Sequence, residues 1–275
     1  MDWNKISTIL ITAFIILNVF LFVSSKDILN AGFGPENDPE FPQEVANLLK
    51  VQNITINTEI PGETYVLPVL ETEYEIINID SKLLQNFLNE KIDPIEDVYK
   101  YTNSKGESLE IRDGKKLILI LRKKVNEKFD RKDIREEISR FLEQKNIDAD
   151  GYVENLVHIS ENEAIYRYTL RYNDYPLDNS YMYFFADNQG IYKFEMQRII
   201  AVSEITEKVR TIKAIEALPR ILTYPEIKNK EITRIEMTYY SVEDENWHNI
   251  ERINSDPTWK VIFSDGTQVH LPGID

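Results

Sequence analysis

The 275-residue chain has three histidines, no cysteine and 47 Asp and Glu residues, and these set what catalytic and metal chemistry it can assemble. His158, His248 and His270 stand far apart, and none has the H-E-x-x-H spacing that brings two imidazoles onto one helix face. Each therefore reads as a surface or packed strand residue rather than a ligand. Without cysteine there are no disulfides, thiolate metal sites or cysteine nucleophiles. The chain contains no G-x-S-x-G elbow, Walker loop or G-x-G-x-x-G. Only nine glycines are present, which leaves little material for phosphate-cradling loops. These signals point away from an enzyme and call for no cofactor.

Two constellations still have the right residue types for chemistry. The acidic clusters Asp93/Glu96/Asp97 and Glu243/Asp244/Glu245 are of the kind that cleaves glycosidic bonds when two carboxylates flank a sugar. In so acidic a chain such clusters arise from composition, and a solvated loop is the simpler reading. Asn146, Asp148, Asp150 and Gly151 follow a helix in the order N-x-D-x-D-G, the first half of a calcium loop. Val157 occupies the position of the bidentate Glu, so a helix-to-strand turn is favoured and no metal site is assigned. Tyr166, Tyr168 and Tyr172 alternate along one strand face with Arg167 and Arg171 on the other. Cross-strand aromatic packing explains that pattern, and an exposed Tyr/Arg face would suit protein recognition.

The elements that must position these residues follow from periodicity. Val45, Leu48 and Leu49 predict a short helix. Ser81 is a candidate N-cap for a helix presenting Leu83, Leu84, Phe87 and Leu88. Asp130 is the candidate N-cap for Ile134, Ile138, Phe141 and Leu142. A third helix is expected on Val209, Ile212, Ile215 and Leu218, stopped by Pro219. Strands are expected near 98–102, 108–112, 116–122, 153–160, 164–173, 180–186, 191–202, 231–242, 258–264 and 267–271. Turn chemistry separates them at Ser104-Lys105-Gly106, Asp113-Gly114, Asn188-Gln189-Gly190 and Asp265-Gly266. The continuous apolar run Leu117–Leu121 marks a central strand covered on both faces. Runs of strands punctuated by lone helices give an α+β fold, antiparallel sheets each packed with helices.

Before these elements lies Ile6–Val23, eighteen residues without a charge, long enough as a helix to cross a bilayer's hydrocarbon core. It exceeds the apolar core of a cleaved secretory signal, so a single transmembrane helix is expected. The short N-terminal tail is expected in the cytoplasm and the bulk of the chain outside the cell membrane. Ser7, Ile11, Phe14 and Asn18 share one stripe of that helix, and an amide in hydrocarbon gains from a partner on another helix. The stripe is therefore the candidate transmembrane partner face. Asp27–Pro42, rich in Pro and Gly, reads as a stalk. The expected organisation is residues 1–25 as tail and anchor, 26–44 as stalk, and two extracytoplasmic α+β domains over 45–127 and 128–275.

The formal net charge is −15, from 32 basic against 47 acidic residues. Asp2 and Lys5 cancel, so the whole surplus lies beyond residue 25. A field of this sign repels phosphates, which argues against nucleic acid as a partner.

The opening Met1-Asp2-Trp3-Asn4-Lys5, followed by an apolar helix with Leu17-Asn18-Val19-Phe20-Leu21, resembles that of the YycI (WalI) family of Firmicutes. The likeness extends to layout: one anchor, an outer α+β part of this size, and a C-terminal strand resembling the family's, here Pro257-Thr258-Trp259-Lys260-Val261. The resemblance implies regulation of a two-component system. Such proteins act in the membrane with a sister protein, YycH (WalH), and the sensor histidine kinase WalK (YycG), through protein–protein interaction that tunes signal transduction to cell-wall metabolism. The competing readings are an outer binding module that senses a wall fragment or calcium, and an anchored hydrolase using paired carboxylates.

Overall fold

The computed structural model describes residues 40–205, 208–243, 247 and 250–274. The expected transmembrane helix, the stripe Ser7/Ile11/Phe14/Asn18, His248 and Asp244/Glu245 lie outside the described residues.

Helix α1 (Phe41–Lys50) opens with Pro42 in its first turn, where a missing N–H costs nothing. The last residues of the expected stalk thus belong to this helix. It is followed by β1 (Thr55–Ile56), β2 (Val66–Leu67) and β3 (Leu70–Tyr74). Helix α2 (Ser81–Leu88) is capped by Asp80, one residue before the expected cap, whose carboxylate accepts from Leu83 N–H at 2.7 Å. Strands β4 (Lys100–Thr102), β5 (Ser108–Arg112) and β6 (Lys116–Ile120) form a meander. Asp113 and Gly114 at its second turn both have positive φ, 52° and 66°, the geometry a two-residue hairpin demands.

Helix α3 (Ile134–Gln144) precedes β7 (Tyr152–Ile159), β8 (Ala164–Tyr172), β9 (Tyr175–Asp187), β10 (Gly190–Gln197) and β11 (Ile199–Glu204). Then come β12 (Val209–Arg210), the short α4 (Ala214–Ala217), a 3-10 turn (Leu218–Thr223), β13 (Glu231–Tyr240), β14 (Arg252–Phe263) and β15 (Gln268–Pro272). The expected helix through Val209 is corrected: Val209 pairs with Leu67 in a two-stranded ladder, and helix begins only at Ala214. Strand propensity and a backbone partner in β2 outweigh the 3.6-residue spacing there.

Thirteen strands connect in the order β11-β3-β14-β13-β9-β10-β6-β5-β4, with β1 on β13, β15 on β14 and β7-β8 on β9. Pairing is antiparallel except for β1 with β13 and a single bridge, Tyr239 to Leu177, between β13 and β9. The fold is therefore mixed α+β and dominated by sheet, with few helices among the described residues.

Two apolar cores form. In one, α2 and α3 bury Leu84, Phe87, Leu88, Ile134, Ile138 and Phe141 on one face of the β7-to-β4 sheet. That face carries Leu117 and Leu119 of β6, and Ile118 on the opposite face is also buried, so the apolar run is covered on both sides. The other core joins α1, α4 and the 3-10 turn to β3, β13, β14 and β15, with Trp259 1% exposed at its centre. Residues 45–74 contribute to the second core and 84–111 to the first, so the segments sharing a core are not consecutive in sequence. Strand β9 serves both: Leu177 lies in one core, Met182 and Phe184 in the other.

Candidate functional site: a polar seam between two sheets

The outer face of the β7-to-β4 sheet is not apolar. In register, Arg167 of β8 lies beside Tyr183 of β9, and Thr169 beside Tyr181. The Arg167 guanidinium sits 5.7 Å from the Tyr181 ring and 5.4 Å from that of Tyr183. A second row faces it from the other sheet, where Glu236, Lys260 and His270 are direct neighbours across β13, β14 and β15.

Asp178 joins the rows where β9 passes from one core to the other. The five residues from Pro176 to Ser180 are all buried there, because structure covers both sides of the strand. Asp178 Oδ1 accepts from Arg167 Nη1 and Lys260 Nζ, both at 3.0 Å, and Oδ2 lies 2.5 Å from His270 Nε2. Burial alone would raise the Asp178 carboxyl, but the charges of Arg167, Lys260 and His270 hold it well below the usual carboxylate range. Lys260, with a fully buried ammonium, is lowered because desolvation outweighs its attraction to Asp178 and Glu236. Arg167 is equally buried, and the adjoining carboxylate raises it against the pull of burial. The His270 ring stacks on Tyr240 with centroids 3.8 Å apart and planes 7° from parallel.

Beside this cluster opens a cavity of about 300 Å³, walled by Arg167, Asp178, Tyr181, Tyr183, Tyr240 and His270. Glu243 enters from the far wall and accepts from Asn179 Nδ2 at 3.0 Å and Gln197 Nε2 at 2.7 Å. Asn179 also exchanges two hydrogen bonds with the Ser241 backbone, tying β9 to the end of β13. Behind the Tyr240/His270 stack a second, more apolar cavity of about 510 Å³ continues the groove past Val242 and Val269. Arg167 Nε, in a fully buried side chain on the cavity wall, has no hydrogen-bond partner among the described residues. Ionised and coordinated on both oxygens, Asp178 has no proton to donate near neutral pH. Its chemistry is to hold three strands at one point, and the cavity beside it offers aromatic faces and hydrogen-bonding groups for recognition.

The residues singled out by sequence distribute as follows. Tyr166 is buried and Tyr168 packs on Phe184 at 5.8 Å, so these tyrosines are core; Arg167 is buried in the seam and only Arg171 is exposed. Cross-strand packing, the reading the sequence favours, is what Tyr166 and Tyr168 show, and the alternative of an exposed Tyr/Arg face does not hold for them or for Arg167. Asp93, Glu96 and Asp97 are exposed loop residues. The 146–151 stretch is a turn: Asn146 closes α3 at φ 50°, Asp150 N–H donates to Asp148 Oδ1 at 3.0 Å, and Gly151 has φ 75°. Among the described residues no three His, Asp or Glu side chains converge to hold a metal ion. Likewise, no described helix is long and apolar enough to cross a membrane. On sequence alone His270 reads as a surface or packed strand residue, and neither Asp178 nor Lys260 is assigned a site. Lys260 did carry a signal, a lone charge inside the apolar run Trp259-Lys260-Val261-Ile262-Phe263, because a buried ammonium requires a partner.

Comparison with known proteins adds an evolutionary frame. The family model described as YycI protein matches residues 38–270. No curated protein matches the sequence. Among solved structures, YycH from Bacillus subtilis is similar with a TM-score of 0.52 at 11% identity, over 77% of this chain and 53% of that one. This chain thus spans about half the length of that YycH structure, and the likeness is one of fold. An uncharacterized protein from Eubacterium rectale aligns with a TM-score of 0.47 at 11% identity, covering 83% of this chain and 94% of its own. The C-terminal domain of Bacillus megaterium YpeB aligns at 0.34 and 11% identity, over 69% of this chain and 95% of that domain.

Proposed function

Because the chain belongs to the YycI family, we propose that it is a non-enzymatic, membrane-anchored regulator of a WalK (YycG)-type sensor histidine kinase, acting with a YycH-like partner on cell-wall metabolism. The family match over residues 38–270 is the observation that carries this reading, and the YycH-like fold supports it. On this reading the Ile6–Val23 helix spans the cell membrane once, with a cytoplasmic N-terminus and the acidic bulk outside. The Ser7/Ile11/Phe14/Asn18 stripe meets the partners' helices. Anchoring suits a regulator of this kind, because partners confined to one membrane meet at high effective concentration and weak contacts suffice. A preference of ~1–3 kcal/mol for one signalling state shifts output several-fold.

Exchanging residues 6–23 for an unrelated apolar helix, with expression and membrane localisation checked, tests the reading. Altered output of a kinase-dependent reporter and loss of co-purified kinase and YycH-like protein are expected. Unchanged output with an intact complex would sink the helix-contact model. A second reading, an outer module that binds a wall fragment, draws on the tyrosine-walled cavity beside Asp178.

A further inference from the structure

A further cavity of about 210 Å³ lies between β7, β8 and β13 and borders the Asp178 cluster through the Glu236–Lys260 ion pair. Four buried side-chain atoms on its walls lack a hydrogen-bond partner among the described residues: Nδ2 and Oδ1 of Asn155, Oγ1 of Thr169 and Oε1 of Glu236. Thr169 is 1% exposed, so its hydroxyl finds no partner in bulk solvent. Glu236 Oε1 is 3.0 Å from Lys260 Nζ, an ion pair by distance but outside hydrogen-bonding direction. Folded interiors pair nearly all such atoms, so this concentration of donors and acceptors needs an occupant. The volume equals the liquid share of roughly seven water molecules, enough for a small organic molecule.

The charge at the mouth selects the class of occupant. Arg171 donates to the Asp174 carbonyl at 2.7 Å and has no carboxylate within ion-pair distance among the described residues. Arg234 donates to the Asn155 carbonyl, and its nearest carboxylate oxygen, on Glu236, is 3.8 Å from Nε. Glu154 is occupied by Arg135, at 2.8 and 2.9 Å, and does not neutralise them. In a chain of net charge −15, two guanidiniums with spare donors at one small cavity favour an anion. The amide nitrogen and the hydroxyl add donors suited to carboxylate oxygens, whereas Asn155 Oδ1 calls for a donor on the ligand.

We propose that this cavity binds a small carboxylate carrying a hydrogen-bond donor on the adjacent carbon, the chemistry of an amino acid, a hydroxy acid or a peptide C-terminus. The proposal stands apart from the regulatory reading, since it is tested by binding to purified protein and the other by kinase output. Isothermal titration of the full-length chain in detergent micelles would use L-alanine, D-alanine, L-lactate and alanyl-alanine, with ethylamine as the probe lacking a carboxylate. Saturable one-to-one binding of at least one carboxylate and none of ethylamine is expected. A response to alanyl-alanine alone would identify a peptide terminus as the source. Arg171→Gln, on an exposed side chain, and Thr169→Val should each weaken binding at least tenfold. Flat titrations with every carboxylate would mean that the cavity holds only water and would overturn the proposal. So would ethylamine binding equally well, or affinity that survives Arg171→Gln.

Discussion

Asp178 shows what a single residue decides in this molecule. A buried carboxylate beside Arg167, Lys260 and His270 is stable only because each charge compensates another, and removing one partner from such a cluster costs more than the cluster adds. Asp178→Asn leaves the buried Arg167 guanidinium without its carboxylate and Lys260 with Glu236 alone, and should lower unfolding free energy by about 3–5 kcal/mol in a urea titration. Lys260→Met should cost less, because Asp178 retains Arg167 and His270; equal losses would refute the central position of Asp178. A second buried carboxylate contributes to the loss of stability in acid. Asp187 is fully buried, with Arg122 donating to it at 2.7 and 2.5 Å and the backbone N–H of Val125 and Gln189 at 2.6 and 2.8 Å. Burial opposes ionisation, yet these bonds lower its pKa to about 2, against about 3.9 when unfolded. Its folded value is the lower, so its stabilisation is present above about pH 4 and disappears as acid approaches pH 2. Urea midpoints measured between pH 6 and pH 2.5 should fall less steeply for Asp187→Asn than for the natural chain.

At the scale of elements, β9 and β14 carry the organisation. Strand β9 runs thirteen residues, long enough to pair with β8 from end to end, with β10 over its C-terminal half, and to touch β13 near its start. Strand β14 pairs with β3 at its start, and with β13 and β15 beyond. Trp259 in β14 fills the core beneath it, with its ring 5.9 Å from Tyr65 and Nε1 donating to the Ile212 carbonyl at 3.0 Å. Trp259→Ala should therefore cost about 3–5 kcal/mol with little change in denaturant m-value. A loss below about 1 kcal/mol would show that the site collapses around the vacancy.

Across the whole molecule, apolar and polar surfaces are segregated by layer. Helices cover one face of the larger sheet, whereas its other face carries charged ladders such as Lys116 to Glu195 at 3.3 Å and meets the second sheet through ions rather than methyl groups. A polar interface of that kind costs desolvation, but it fixes register, because a slipped strand would leave its charges unpaired. The acidic surplus bears on the proposed setting: a surface of this sign does not settle on anionic lipid without cations, which favours protein partners in the same membrane.

Local signals in the sequence determined most strands, the helices on Ile134–Phe141 and Leu84–Leu88, and the turns at Asp113-Gly114 and Asp265-Gly266. Each rests on neighbours a few residues apart, where periodicity and φ preference act directly. The opening Met1–Lys5 and the strand at Pro257–Val261 likewise carried the family resemblance without any tertiary contact. The two-residue strands β1, β2 and β12 and the β3 ladder left no such trace, since their pairing partners lie far along the chain. Asp178 lies 11 residues from Arg167, 82 from Lys260 and 92 from His270. Only the tertiary structure decides that these four meet, because burial creates the demand for charge compensation, and burial is set by packing between strands that sequence order keeps apart.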